Sequence, residues 1–97
     1  MSRANKRTAE FKLLAMRLPE RIQALAAEAY ERFLTNPAHP ALALHQLKDT
    51  KKGHHRPGSW AVSVGSRYRA IFVVDGDVNV WYWIGSHESY NNFLGLK

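Results

Sequence analysis

From Trp60 to Ile84 apolar side chains recur at every second position, and that period constrains the fold of this chain more than any other feature. Trp60, Val62 and Val64 alternate with Ala61 and Ser63, which is one strand, and Gly65-Ser66 turns the chain. Tyr68, Ala70, Phe72 and Val74 then line one face of a second strand, with Arg67, Arg69, Ile71 and Val73 on the other. Asp75-Gly76-Asp77, set between apolar runs, signals a tight hairpin. Val78, Val80, Tyr82 and Ile84 form a third strand, with Trp81 and Trp83 opposite. The segment reads as a three-strand antiparallel meander.

The preceding half has helical periodicity. Phe11, Leu14 and Leu18 are spaced for a short helix over Thr8 to Leu18, which Thr8 can start. Pro19 breaks it and suits the first turn of a second helix, in which Ile22, Leu25, Ala26, Ala29, Phe33 and Leu34 form a wide apolar stripe. Asn36-Pro37 ends that helix, because a residue before proline avoids the helical region. After the meander, Ser86 can cap a last short helix, His87 to Leu94. A short extra strand has room near Arg3 to Lys6. Helices followed by strands give an α+β class: an N-terminal two-helix hairpin packed on a small twisted antiparallel sheet, with a short C-terminal helix. The sheet face carrying Arg69 is expected to stay partly exposed.

The 97 residues fit a single domain, 1–97, held by packing alone because there is no cysteine. That composition suits the cytoplasm and excludes thiolate zinc sites and a thiol nucleophile. No apolar stretch nears the roughly 20 residues of a membrane span. The basic N-terminus, Met1 to Arg7, runs into an amphipathic helix rather than a secretory apolar region. Fourteen Lys and Arg against eight Asp and Glu give a net charge of +6, which favours a polyanionic partner such as nucleic acid, a ribosome or an acidic protein.

Charge concentrates where periodicity is weakest. Asn36 to Ser59 holds four of the five histidines, and Lys48 to Arg56 reads as an exposed, mobile basic loop. Lys48, Lys51, Lys52, His54, His55 and Arg56 are candidates for RNA contact, with a simply solvated loop as the alternative. A metal site joining these histidines to His39 or His45 fits no zinc spacing, so no metal or cofactor is expected. Arg69 sits mid-strand, where a rigid guanidinium suits a phosphate; an ion pair to Asp75 or Glu88 is the alternative. His87, just after a strand, is placed for general acid or base work, or only begins a helix. Arg67 reads as a surface cation. An outward aromatic ladder among Trp60, Trp81 and Trp83 could stack bases or hold a partner helix.

The blocks Trp60-Ala61-Val62-Ser63-Val64-Gly65, Arg67-Tyr68-Arg69-Ala70 and Trp83-Ile84-Gly85-Ser86-His87 with Tyr90 resemble the RelE/ParE superfamily of type II toxins. Phe11, Leu18-Pro19, Asn36-Pro37 and His39-Pro40 fit the same pattern, so the resemblance covers nearly the whole chain. It implies a RelE-like fold and a cognate antitoxin that wraps the toxin in a hetero-oligomer. It implies one of two activities: RelE-like members cut mRNA in the ribosomal A site by attack of a ribose 2′-OH on the adjacent phosphate, without metal, whereas ParE-like members poison DNA gyrase and are not enzymes.

On this resemblance Arg69 matches the sheet arginine that steadies the scissile phosphate, and His87 matches a histidine that YafQ-like members use for proton transfer. Phe93 and Tyr90 fall near an aromatic position of the RelE site, and Arg67 joins the RNA-binding set. RelE carries lysines on the strand corresponding to Trp60–Val64. This chain has none there, which shifts basic work to the loop. The expectation is a ribosome-dependent mRNA endoribonuclease that inhibits translation. A gyrase inhibitor and a non-toxic interaction module of the same fold stand as alternatives.

Overall fold

Thr8 separates an extended segment from a helix, and its hydroxyl accepts the Phe11 N–H at 3.1 Å, closing one of the open donors of the first turn. The computed structural model describes Arg3 to Leu96; Met1 and Ser2, the first residues of the basic N-terminal run, and Lys97 lie outside the described residues. In chain order the elements are β1 (Ala4–Arg7), α1 (Ala9–Met16), α2 (Glu20–Thr35), a 3-10 turn (Pro40–Leu42), β2 (His45–Gln46), β3 (Ser59–Val64), β4 (Tyr68–Asp75), β5 (Val78–Ser86) and α3 (His87–Phe93). Pro19 caps α2, with its carbonyl accepting the Ile22 and Gln23 N–H groups. Ser86 caps α3 through the Ser89 N–H at 3.2 Å.

The meander is present, but it forms the middle of a five-stranded sheet in the order β1-β5-β4-β3-β2. The N-terminal strand lies parallel to β5, Ala4 opposite Val78 and Arg7 opposite Trp81, so the sheet is mixed rather than wholly antiparallel. The helices of the N-terminal pair share one face, α1 against β5 and α2 against β3. A cavity of 440 Å³ opens between them and reaches the sheet at Val62 and Trp81. Phe33 anchors that face, packing edge-on to Phe72 at 5.5 Å and to Trp81 at 5.2 Å.

The second face is also covered. Ala61, Ile71, Tyr82 and Trp83 meet Leu47 from the loop, Tyr90 of α3 and Leu94 just after it. Burying Ile71 fully is worth about 1.5–3 kcal/mol. The face opens at the start of β4, where Arg69 remains half-buried.

One expectation about β5 is corrected. Ile71 pairs with Trp83 but Phe72 pairs with Trp81, leaving Tyr82 as an extra residue without an opposite number. This bulge breaks the alternation. Trp81 packs with Ile84 on the helix side while Tyr82 and Trp83 both pack on the other, so Trp81 and Trp83 do not share a face.

The basic loop is pinned rather than mobile. Arg56 N–H donates to Tyr82 Oη at 2.8 Å, and Ser59 Oγ–H donates to the Arg56 carbonyl at 2.7 Å. Tyr82 O–H therefore donates to Ser59 Oγ, 2.7 Å away, which closes a ring of three hydrogen bonds. The Arg56 guanidinium lies 4.7 Å over the Tyr82 ring. His54 N–H donates to the Phe93 carbonyl at 2.7 Å, tying the loop to the end of α3. Gly95, at φ +73°, ends that helix, and a Cβ there would meet the Lys52 backbone at 2.8 Å.

Candidate functional site

A groove of 560 Å³ runs between β2, the start of β4 and α3, and His45, Lys48, His55, Arg69, His87 and Tyr90 are among the residues that line it. Its cation comes from the strand ladder. Arg69 is paired with Gly85 on β5 and Ser63 on β3, so only small residues flank it in the sheet. Its guanidinium donates one bond to the Tyr68 carbonyl at 2.8 Å, which tethers the group beside the strand.

His87 follows the Ser86 cap, and its N–H is held by the Arg67 carbonyl at 2.7 Å. The side chain is exposed, with its ring 6.0 Å from that of Tyr90. Arg69 and His87, singled out from sequence, are thus brought into one groove.

Sequence reasoning missed the second imidazole as a site residue, weighing it only as a metal partner. His45 lies on the two-residue β2, opposite Ala61 of β3. Ala43, the one non-glycine with positive φ (46°) among the described residues, swings the chain out of the 3-10 turn to reach it. Such a conformation costs about 1–2 kcal/mol, so packing around Leu42 must hold it. The Ala43 carbonyl lies 2.9 Å from His45 Nδ1, and since a carbonyl only accepts, Nδ1 carries the proton. In the neutral ring Nε2 then keeps its lone pair, which faces the Tyr90 hydroxyl at 3.4 Å. Spacing gives no cue to a strand this short.

Tyr90 is buried, and burial raises its phenol above the ordinary 10.0, with the nearby Arg69 charge partly opposing the shift. At neutral pH it is therefore a neutral hydrogen-bond donor. The arrangement offers one fixed cation, two imidazoles and a phenol around one cleft, which is a set suited to an anion and to moving protons.

The other sequence candidates divide. Lys48 and His55 border the groove, but His55 is 8% exposed and its Nε2–H donates to the Lys48 carbonyl at 2.7 Å, so its ring braces the loop. Lys51, Lys52 and Arg56 are exposed on the loop, and Arg67 is exposed before β4. His54 and Phe93 lie on the opposite side of α3, in a second groove with Trp83. Among the described residues no three His, Cys, Asp or Glu side chains are grouped to hold a metal ion, and His39 instead accepts the Ala41 N–H at 3.0 Å. No helix among the described residues is long and apolar enough to cross a membrane.

Solved structures repeat this fold at low identity. YafQ from E. coli strain BL21(DE3) superposes with a TM-score of 0.68 at 13% identity, over 92% of this chain and 98% of its own. The archaeal RelE-RelB complex from Pyrococcus horikoshii OT3 gives 0.66 at 16%, over 90% and 97%. The toxin-antitoxin complex RelBE2 from Mycobacterium tuberculosis gives 0.64 at 19%, over 89% and 99%. No curated protein matches the sequence. Residues 20–92, which span α2 through most of α3, match the model of the ParE-like toxin domain. The chain therefore belongs to the ParE-like toxin domain family of the RelE/ParE toxin superfamily.

Proposed function

We propose that this protein is the toxin of a type II toxin-antitoxin pair and cuts mRNA on the ribosome, in the cytoplasm, with the groove at Arg69 as its active site. The observation that carries the reading is the convergence of Arg69, His45, His87 and Tyr90 on one cleft. A ribose 2′-OH attacks the adjacent phosphate, the 5′-oxygen leaves, and a 2′,3′-cyclic phosphate and a 5′-hydroxyl result. His45, in its neutral form with the hydrogen on Nδ1, takes the 2′-OH proton on Nε2. His87, exposed across the groove, gives a proton to the leaving oxygen. Arg69 and the neutral Tyr90 hydroxyl hold the non-bridging oxygens. The ribosome positions the message, which supplies orientation that an open groove lacks. A cognate antitoxin would silence the protein, as the RelB-RelE complex from Methanococcus jannaschii and the DinJ-YafQ complex, of the same fold, are toxin-antitoxin complexes.

Expression without a partner tests this reading. Growth arrest by the wild type, relieved by Arg69→Ala or His45→Ala at equal protein level, supports it. Arrest of equal strength by both variants sinks it. The ParE-like description of the family favours a second reading, in which the protein binds DNA gyrase without cutting anything. Loss of supercoiling by purified gyrase on adding the toxin, with mRNA left whole, would select that reading.

A further inference from the structure

We infer that the second groove, on the far side of α3, holds an unpaired RNA base next to the phosphate gripped at Arg69. This rests on the RNA-cleaving reading above and adds where the neighbouring nucleotide goes. The groove has a volume of 680 Å³. Trp83 and Phe93 lie stacked in its wall, 5.0 Å apart and 19° from parallel. The His54 ring sits 6.1 Å from Phe93, and Tyr68 borders the opening. Gly85 makes the arrangement fit: a Cβ there would come within 2.7 Å of the Trp83 ring, so the indole lies directly over the strand backbone.

Three observations select a base over other occupants. Among the described residues, neither groove is lined by a single Asp or Glu, while Arg17 and His54 border this one and Lys48 and Arg69 the other. Flat aromatic walls beside cations and without anions match a strand of stacked bases on a phosphate chain. Polar edges are present as well, from Ser86, Ser89 and Asn92, which can meet the hydrogen-bonding rim of a base. The two grooves also adjoin. Tyr68 and Arg69 are consecutive on β4, and Ser86 and His87 are consecutive where β5 meets α3. In each pair the first residue borders this groove and the second borders the Arg69 groove. A single strand crossing that strip puts a phosphate on one side and a base on the other.

The test uses ribosomes programmed with an mRNA carrying 5-iodouridine at single positions around the cleavage site, irradiated with the full-length protein and mapped by mass spectrometry. The expected crosslink joins the nucleotide beside the cut to a peptide containing Trp83 or Phe93. Phe93→Ala should lose it and raise the message concentration needed for half-maximal cleavage about five- to a hundredfold, the loss of one base–aromatic stack, with Phe93→Tyr restoring it. Because Phe93 also packs on Trp83, the exposed Arg17→Gln is tested beside it and should lower the crosslink yield without changing the thermal midpoint. Cleavage by the wild type with crosslinks only on the Tyr90 side, or by Phe93→Ala within twofold of the wild type, overturns the assignment and leaves the nuclease reading intact. Retained cleavage with lost antitoxin binding in Phe93→Ala overturns it in favour of a protein side chain as the occupant. A wild type that neither cuts nor crosslinks to the message removes the nuclease reading, and the base site with it.

Discussion

Removing one oxygen from Tyr82 should release the basic loop from the sheet. In Tyr82→Phe the ring stays buried against Leu47 and Trp83, so the apolar contribution is almost unchanged. What is lost is the closed hydrogen-bond ring: Arg56 N–H loses its acceptor at 2.8 Å and Ser59 Oγ loses its donor at 2.7 Å. Each such bond contributes about 1 kcal/mol net, and a buried N–H left without a partner costs about 1–3 kcal/mol. Ser59, fully buried, has no route to water, but Arg56 is exposed and its N–H can recover a water molecule once the loop shifts. The net is about 2 kcal/mol, a sizeable share of the 5–15 kcal/mol that holds a domain of this size. For a chain of 97 residues that lowers the thermal midpoint by about 10 °C. Denaturant titration gives the energy, and amide exchange shows where it acts. Protection should fall first at His54 and Arg56, with the amides of β4 and β5 slowing or quickening only with global stability. A loss below about 0.5 kcal/mol, the range of an ordinary surface change, would refute the hydrogen-bond ring. So would loop amides as protected as before.

Three further changes probe the frame and the site. Phe33→Ala empties the centre of the helix-side core, where Phe33 meets Phe72 and Trp81, and should cost about 3–5 kcal/mol by urea titration; a cost under 1.5 kcal/mol would mean the helices do not rest on that ring. Thr8→Ala removes the Phe11 N–H acceptor and should cost about 0.5–2 kcal/mol, with the helical signal of α1 reduced in carbon chemical shifts. Tyr90 gives a pH signature. Its phenol is raised in the folded state by burial, so the stability this confers is complete below the ordinary value of 10.0 and is lost as pH rises through the higher folded value. Tyr90→Phe should flatten the fall in stability above roughly pH 10, and an unchanged slope would place that ring in solvent.

Much of this architecture was legible from residue types. Local signals carried it: Thr8 and Ser86 as caps, Pro19 between helices, Asp75-Gly76-Asp77 as a hairpin, and period two through β4. Each depends on neighbours a few residues away. The parallel pairing of β1 with β5 joins residues some seventy positions apart, as in the bond from Arg3 to Asn79, 76 positions on, and no local pattern encodes it. The bulge at Tyr82 is set by register against β4, so alternation alone misplaced Trp83. The same limit hid the second histidine of the Arg69 groove. His45 acquires meaning only because Ala43 turns the chain at positive φ and Ala61 receives β2 at the sheet edge. Arg69 and His87 were readable because each lies on or just beyond a strongly patterned strand. His55 was expected on an exposed loop, because composition shows charge but not hydrogen bonds. Among the described residues His55 is one of the most buried polar side chains, with its Nδ1 enclosed and without a hydrogen-bond partner.

The claim that the Arg69 groove cuts mRNA is tested most directly by mapping message ends in a purified translation reaction containing the wild type or the Arg69→Ala, His45→Ala or His87→Ala variant. New ends are expected within codons at the A site, carrying 2′,3′-cyclic phosphate, formed only when ribosomes are present. Each variant is expected to lose at least about a hundredfold in rate. Intact mRNA with normal protein synthesis at full toxin occupancy would contradict it, as would cleavage that all three variants perform at the wild-type rate.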